Sequence, residues 1–242
     1  MKAIGVIPAR YSATRFDGKV LATLCGKAVI QHTWENAKKA HTLDELIVAA
    51  DDERIIKTVE SFGGKATLTA KGHPSGTDRL REIVNSLDVN IVVNIQADEP
   101  LLHPSMIDEL VTALLQDKEI VMATLMKKID NPEEIGNPNV VKVVPDKDNF
   151  ALYFSRVAIP FHKQAGAGCY YKHIGLYSYT KDFLFTFVNL PRSFLEKTEG
   201  LEQLRALENG YKIKVLETSY KTVGIDTPED LKRAEEVLSK GI

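Results

Sequence analysis

"DVNIVVNIQADEP", residues 88–100, sets Ile91, Val92, Val93 and Ile95 in an apolar, β-branched run that stops at Asp98, Glu99 and Pro100. Such a run predicts a strand buried on both faces, as in a parallel sheet. "HPSMIDELVTALLQD" at 103–117 follows with helical spacing and opens on a proline and a serine. The same alternation surrounds this unit. "KAIGVIPAR" at 2–10 predicts a strand, and residues 19–40 end in a helical pattern carried by Val29, Ile30, Trp34 and Ala37. "LDELIVAADD" at 43–52 predicts a strand, "DERIIKTVESFGG" at 52–64 a helix closed by Gly63 and Gly64, and "KATLTAK" at 65–71 a further extended segment. Strands alternating with helices predict a mostly parallel α/β sheet.

Beyond residue 118 the pattern changes. "EIVMATLMKKI" at 119–129, "NVVKVVPD" at 139–146 and "NFALYFSRV" at 149–157 are extended segments with no long helix between them. "YKHIGLYSYTKDFLFTFVNL" at 171–190 adds an extended run leading into a short helix, which predicts a mixed or antiparallel portion over 119–210. "FHKQAGAGC" at 161–169 reads as a glycine-rich loop. The tail returns to α/β form. "GLEQLRALENG" at 200–210 predicts a helix, "YKIKVLETS" at 211–219 a strand, and "TPEDLKRAEEVLSKG" at 227–241 a helix capped by Thr227 with Pro228 in its first turn. Residues 1–118 and 211–242 are thus expected to form the main portion.

A chain of 242 residues and 26.9 kDa buries a substantial core without staples. With 31 basic against 33 acidic residues, a broad basic surface for nucleic acid is not expected, so any anion site must be local. Cys25 and Cys169 are too few for a disulfide framework or a cysteine zinc site, which fits a reduced cytoplasmic protein. Met1 leads directly into a strand-like run, and no apolar stretch is long enough to span a bilayer; no membrane insertion is expected.

In parallel α/β sheets ligands gather beyond the carboxyl ends of the strands, so polar residues just after strand-like runs come first. The loop after the first strand, "IPARYSATRFDGK" at 7–19, combines the cations Arg10, Arg15 and Lys19 with the hydroxyls of Ser12 and Thr14, a set suited to phosphate oxygens. The alternative is a solvated basic loop. It has neither the Walker A lysine followed by Ser or Thr nor the GxGxxG spacing, against a P-loop ATPase or a nicotinamide enzyme. Asp98 and, in "GIDTPED", Asp226 each follow an apolar run, and two such carboxylates suit a divalent metal through oxygen; a plain capping role is the bland account of Asp226. Glu99 reads as an ordinary exposed strand-end acid, and His73 as a surface residue.

"HPSGTDRL" at 73–80 is turn-forming: Ser75, Gly76 and Thr77 can present backbone groups to a planar ring and Arg79 can reach a base or phosphate, or the stretch is simply a capped helix start. Arg156 ends an aromatic strand. His173 and Tyr177, with Gly175 between them, share one face of an extended chain and with Arg156 suit a pocket gripping an acid and hydroxyls; a satisfied core histidine is the alternative. Glu202 and Gln203 add polar groups at a helix start.

The stretches "IPARYSATRFDGKVL", "SGTDR", "NIQADEPL", "ALYFSRVAIPF", "KHIGLYSY", "LEQLRALENG" and "GIDTPEDL" together, in colinear order over nearly the whole chain, resemble the bacterial 3-deoxy-manno-octulosonate (Kdo) cytidylyltransferases. The resemblance implies a nucleotide-binding, mostly parallel three-layer α/β sheet with a smaller mixed-sheet portion that binds the acceptor sugar and forms a homodimer. It further implies Mg2+, with CTP and Kdo as substrates giving CMP-Kdo and pyrophosphate for lipopolysaccharide synthesis. On this resemblance Arg10, Arg15 and Lys19 hold the triphosphate, and Ser75, Arg79 and the backbone around Ala9 select cytosine. Asp98 and Asp226 hold magnesium, and Gln96, Arg156, His173, Tyr177, Glu202 and Gln203 form the sugar-acid pocket. The chain departs from the family pattern at Asp17, usually proline, and at Ala97, usually glycine. A cytidylyltransferase for another acidic sugar such as a sialic acid, and a non-catalytic sugar or nucleotide binding protein, are the alternatives.

Overall fold

The computed structural model describes residues 1–12, 16–163 and 168–240. In chain order these form β1 (Ala3–Ala9), a 3-10 turn (Lys19–Leu21), the small hairpin β2 (Thr23–Leu24) and β3 (Lys27–Ala28), then α1 (Val29–Ala37). Next come β4 (Glu45–Ala50), α2 (Glu53–Ser61), β5 (Ala66–Leu68), α3 (Gly76–Val84), β6 (Ile91–Asn94) and α4 (Pro104–Gln116). The second half contains β7 (Met122–Lys128), α5 (Glu133–Gly136), β8 (Lys142–Pro145), β9 (Ala151–Ser155), β10 (Tyr171–Thr180) and α6 (Lys181–Asn189). It closes with α7 (Phe194–Glu199), α8 (Leu204–Glu208), β11 (Lys214–Glu217) and α9 (Pro228–Ser239).

Among the described residues nine strands form one mixed sheet, its main path running β11-β7-β10-β6-β1-β4-β5. β1 lies parallel to β4 and β6, β5 parallel to β4, and β11 parallel to β7, while β10 runs antiparallel between β6 and β7. The α/β expectation therefore holds, and the strands read from 119–210 share the sheet of the first half. Only the antiparallel hairpin β8–β9 stands off the main path, against the first residues of β10. β6 accompanies Tyr177–Thr180 of β10 and β8 accompanies Tyr171 and Lys172, so the stretch between them opens as a gap in the sheet edge. A bulge between Ile174 and Tyr177 bends β10 at that gap.

Both faces of the sheet are covered, which is why the central strands read as continuous apolar runs. Trp34, Ile107 and Leu110 pack on one face, Leu80, Phe154 and Phe187 on the other. A third cluster joins Leu24 and Val29 to Ile225 and Ala234, fixing α9 against the segment that follows the first loop. Helix starts follow the local chemistry. Ser75 accepts from the Asp78 N–H, and Thr227 with Asp230 forms a reciprocal capping box. α4 is capped by the His103 ring, which accepts from Ser105 N–H, rather than by the serine. "GLEQLRALENG" gives only the short α8, because Gly200, at φ 64°, ends the preceding α7.

Candidate active site

A cavity of about 280 Å³ lies over the carboxyl ends of β1 and β6. β1 brings Ala9 and Arg10 to its wall, the start of α3 brings Ser75, Gly76 and Arg79, and the segment after β6 brings Gln96 and Asp98. Lys19 enters from the end of the first loop. Four stretches widely separated in sequence thus meet. The approach is tight where α3 begins, since a Cβ on Gly76 would come 3.3 Å from the Pro8 ring. Ser75 Oγ accepts from Asp78 N–H at 3.2 Å and donates to the Asp78 carboxylate at 2.8 Å, so it also closes its own helix.

Lys19 is the electrostatic centre. Its ammonium, 14% exposed, bonds the Asp98 carboxylate and lies 2.7 Å from Asp226 Oδ1. Burial favours the neutral amine, but the two carboxylates outweigh it and the lysine pKa stands above its ordinary value. Ile225 N–H donates to Asp98 O at 2.9 Å, and the Leu24–Val29–Ile225–Ala234 cluster holds that junction from behind. Asp98 and Asp226 therefore converge on one cation. Among the described residues no three carboxylate, histidine or cysteine side chains come together as a metal cage. Two hard carboxylates aimed at a shared cation nonetheless fit a magnesium ion that takes its remaining oxygens from phosphate and water.

Glu99 is not the exposed acid expected from sequence. It is half-buried, and its Oε2 is sealed from solvent without a hydrogen-bond partner among the described residues. Burial, reinforced by Asp98 and Asp226, pushes its carboxyl up to about 8. His73 likewise is no free surface residue: it pairs with Glu82 and lines the cavity. Ala97 sits in ordinary backbone, outside the positive-φ residues, so the chain has no need of glycine there.

The first loop is held from its flanks. Tyr11 N–H donates to Asp51 Oδ1 at 2.9 Å, Gly18 N–H donates to Tyr11 O at 2.9 Å, and the Arg54 guanidinium lies 3.3 Å from the Tyr11 ring centre. Gly18 has φ 68°, and the Tyr11 ring lies 3.2 Å from where its Cβ would be, two reasons for glycine at this point. Asp17 contributes to the negative field around Arg54, which gives its acidity a local counter-charge. Arg10 and Ser12 are exposed. Thr14 and Arg15 lie outside the described residues. Arg79 is buried and largely committed to structure. It bonds Thr69 Oγ1, donates to Ala70 O at 3.2 Å and faces Asp51 at 3.6 Å.

A second, open cavity of about 780 Å³ lies against Lys172–Gly175 of β10, the stretch where the pairing with β8 ends and that with β6 has not begun. His173 and Gly175 line it beside Lys172 and Lys221, and Glu99 and Asp226 line it on the side of the first cavity. Gln96 lies 3.9 Å from the Cβ position of Gly175, so the two cavities are neighbours across Gln96, Asp98 and Asp226. His173 and Tyr177 do share a face, with ring centres 5.3 Å apart. Burial holds the His173 imidazole down to about 3, hence neutral. Thr124 Oγ1 reaches the carbonyls of Leu176, at 2.9 Å, and Ile174, and lies 2.9 Å from His173 Nε2. A hydroxyl has one proton, so the network assigns the Nε2–H tautomer to His173 and leaves Nδ1 as an acceptor.

The remaining candidates lie elsewhere. Tyr177 is buried and lines neither cavity. Arg156 also lines neither: its guanidinium donates to Glu199 O at 2.6 Å and Pro138 O at 2.9 Å, because β9 belongs to the hairpin off the main path of the sheet and ends against α7. Lys142, which sequence reasoning passed over, is fully buried and donates to the carbonyls of Asn137 and Arg156 at 2.9 and 2.7 Å and to that of Val140. A lysine in an otherwise apolar strand was the available signal. Glu202 and Gln203 sit behind α3: Glu202 accepts from Thr77, and the buried Gln203 Nε2 has no hydrogen-bond partner among the described residues.

A family model described as cytidylyltransferase matches residues 4–213. The chain is 49% identical over 242 residues to the 3-deoxy-manno-octulosonate cytidylyltransferase of Solibacter usitatus (strain Ellin6076), covering 100% of this chain and 96% of that protein. It is 51% identical over 253 residues to the protein of the same name from Thermodesulfovibrio yellowstonii, covering 99% of each. A solved CMP:2-keto-3-deoxy-manno-octonic acid synthetase complexed with CTP is 39% identical, covers 100% of both chains and superposes with a TM-score of 0.95.

Proposed function

The chain belongs to the cytidylyltransferase family, and from this we propose that it transfers the cytidylyl group of CTP to Kdo, giving CMP-Kdo and pyrophosphate. The observation that carries the reading is the pair of neighbouring cavities with Asp98, Asp226 and Lys19 between them. One cavity has the helix start and cations that suit a nucleotide. The other has hydroxyl-binding and cationic groups that suit an acidic sugar.

In the reaction the anomeric hydroxyl oxygen of Kdo forms a bond to the α-phosphorus of CTP. The bond from that phosphorus to the oxygen bridging to the β-phosphate breaks, the hydroxyl proton is released, and pyrophosphate departs. Arg10, Arg15 and Lys19 carry the triphosphate charge, and the backbone near Ala9, Ser75 and Gly76 faces the base. Gln96 and His173 are assigned to the acceptor, His173 through its Nδ1 acceptor, while Glu202 and Gln203 line neither cavity. Asp98 and Asp226 would hold magnesium, which when bound neutralises phosphate oxygens. Positioning and charge neutralisation then supply most of the acceleration.

Pyrophosphate release from CTP is expected only with both Mg2+ and Kdo present, in a panel that includes UTP, ATP and sialic acids. Release with a sialic acid in preference to Kdo would overturn the acceptor assignment, and no release with any pair would overturn the enzymatic one. No helix among the described residues is long and apolar enough to cross a membrane, and both cysteines are free, which supports placing the reaction in the cytoplasm. Leu152 and Phe161, 61% and 90% exposed on and just after the β8–β9 hairpin, support pairing with a second copy of the chain. Analytical ultracentrifugation is expected to give a dimer that Leu152→Arg converts to monomer; a monomeric wild type refutes the pairing.

A further inference from the structure

The loop between β5 and α3 is clasped at several points. Thr69 N–H and Thr69 Oγ1 both donate to Ala50 O, at 2.8 and 2.9 Å, which ties the start of the loop to the end of β4. Two side chains one turn apart on α3 then hold the next peptide from its two sides: Arg79 donates to Ala70 O at 3.2 Å, and Ala70 N–H donates to Glu82 Oε2 at 3.2 Å. The same Glu82 oxygen bonds Nε2 of His73. The His73 side chain, 16% exposed, is thereby pinned in the wall of the first cavity.

The bond from His73 holds the Glu82 carboxyl below its ordinary range, so Glu82 is a carboxylate that can only accept. Nε2 of His73 must then carry the proton, and in the neutral ring Nδ1 keeps its lone pair, with no hydrogen-bond partner among the described residues. The ring's neighbours in the cavity wall are Pro74, Ser75 and Gly76, and Gly76 packs on Pro8. These uncharged groups suit a planar base, whereas Arg10, Lys19 and Asp98 suit phosphates and their counter-ion.

We propose that His73 selects the base, its Nδ1 accepting a hydrogen bond from the exocyclic amine of cytosine, and that Glu82 is a positioning residue which fixes the tautomer this requires. The proposal rests on reading the first cavity as the CTP site. Uracil carries a carbonyl where cytosine carries that amine. Against Nδ1 a carbonyl would set two lone pairs together and leave both unpaired. Arg79, expected from sequence to reach the base itself, acts one step behind it by holding the loop that presents His73.

The test measures Kd for CTP and for UTP by calorimetry with Mg2+, in mildly alkaline buffer where imidazole is neutral. His73→Phe keeps a planar ring and removes the acceptor. Its preference for CTP over UTP is expected to fall about tenfold relative to wild type, equivalent to ~1.4 kcal/mol, through weaker CTP binding. In Glu82→Gln the amide can donate as well as accept, both tautomers of His73 become available, and the preference is expected to fall about threefold. An unchanged preference in His73→Phe overturns the inference, and so does an equal weakening of CTP and UTP, which marks a purely structural ring. An unchanged preference in Glu82→Gln overturns the control of the tautomer. A wild type that binds CTP no better than UTP removes the reading of the cavity together with the inference, whereas a wild-type preference that survives in His73→Phe sinks the inference alone. If His73→Phe does not fold, Glu82→Gln decides: a lowered preference supports the role of His73 and an unchanged one refutes it.

Discussion

Replacing Asp98 by asparagine is expected to lower kcat by roughly 10²–10³-fold, the size of effect that follows loss of one preorganised electrostatic group at a reacting centre. The substitution keeps size and backbone. Asp98 is 26% exposed and Asp226 51% exposed, so the loss of one carboxylate leaves Lys19 paired to Asp226 and little packing is disturbed. The thermal midpoint should therefore move by no more than about 4 °C. Steady-state pyrophosphate release together with a melting curve checks both halves. Full turnover in Asp98→Asn would dissolve the case for the carboxylate pair as the reacting centre; a collapsed melting curve would make Asp98 a structural residue instead.

The second large effect is on stability. Arg205 and Glu196 form a doubly hydrogen-bonded pair, their side chains 7% and 8% exposed, with Phe187 5.1 Å below the guanidinium. Arg205→Met leaves the Glu196 carboxylate buried without its partner and is expected to cost about 3–5 kcal/mol in urea unfolding. Removing both charges, Arg205→Met with Glu196→Met, should cost less than the single change, because no uncompensated charge remains. A double variant at least as damaged as Arg205→Met would mean that packing on Phe187, not the ion pair, dominates.

Much of the sheet was legible because a parallel strand buried on both faces leaves an uninterrupted apolar run, as in β1 and β6, and because helix starts declare themselves through Ser75 and Thr227. The polar residues after those strands were legible for the same reason: a chain leaving the sheet at Asp98 or Arg10 must face solvent or a ligand. The insertion of β10 between β6 and β7 was not, since strand pairing partners are set by tertiary packing and not by local pattern. Neither was α7, whose capping box of Ser193 and Glu196 is present in the sequence but serves a helix of only six residues. Arg156 lines neither cavity because a strand end need not be a cleft: its strand lies in the hairpin off the main path of the sheet. Glu99 and the Thr77–Glu202 bond depend on contacts that no window of sequence contains.

The ammonium of Lys19 between Asp98 and Asp226 gives the cleft a tethered counter-ion. Two carboxylates brought from the end of β6 and the approach to α9 would repel one another; the lysine lets those segments close together with no dissolved ion required. Arrival of a polyphosphate is then an exchange of partners at a charge already in place. The chain reaches this arrangement with one side chain from its first twenty residues and one from its last twenty, joining the two ends of the sequence by electrostatics as well as by the Leu24–Val29–Ile225–Ala234 packing.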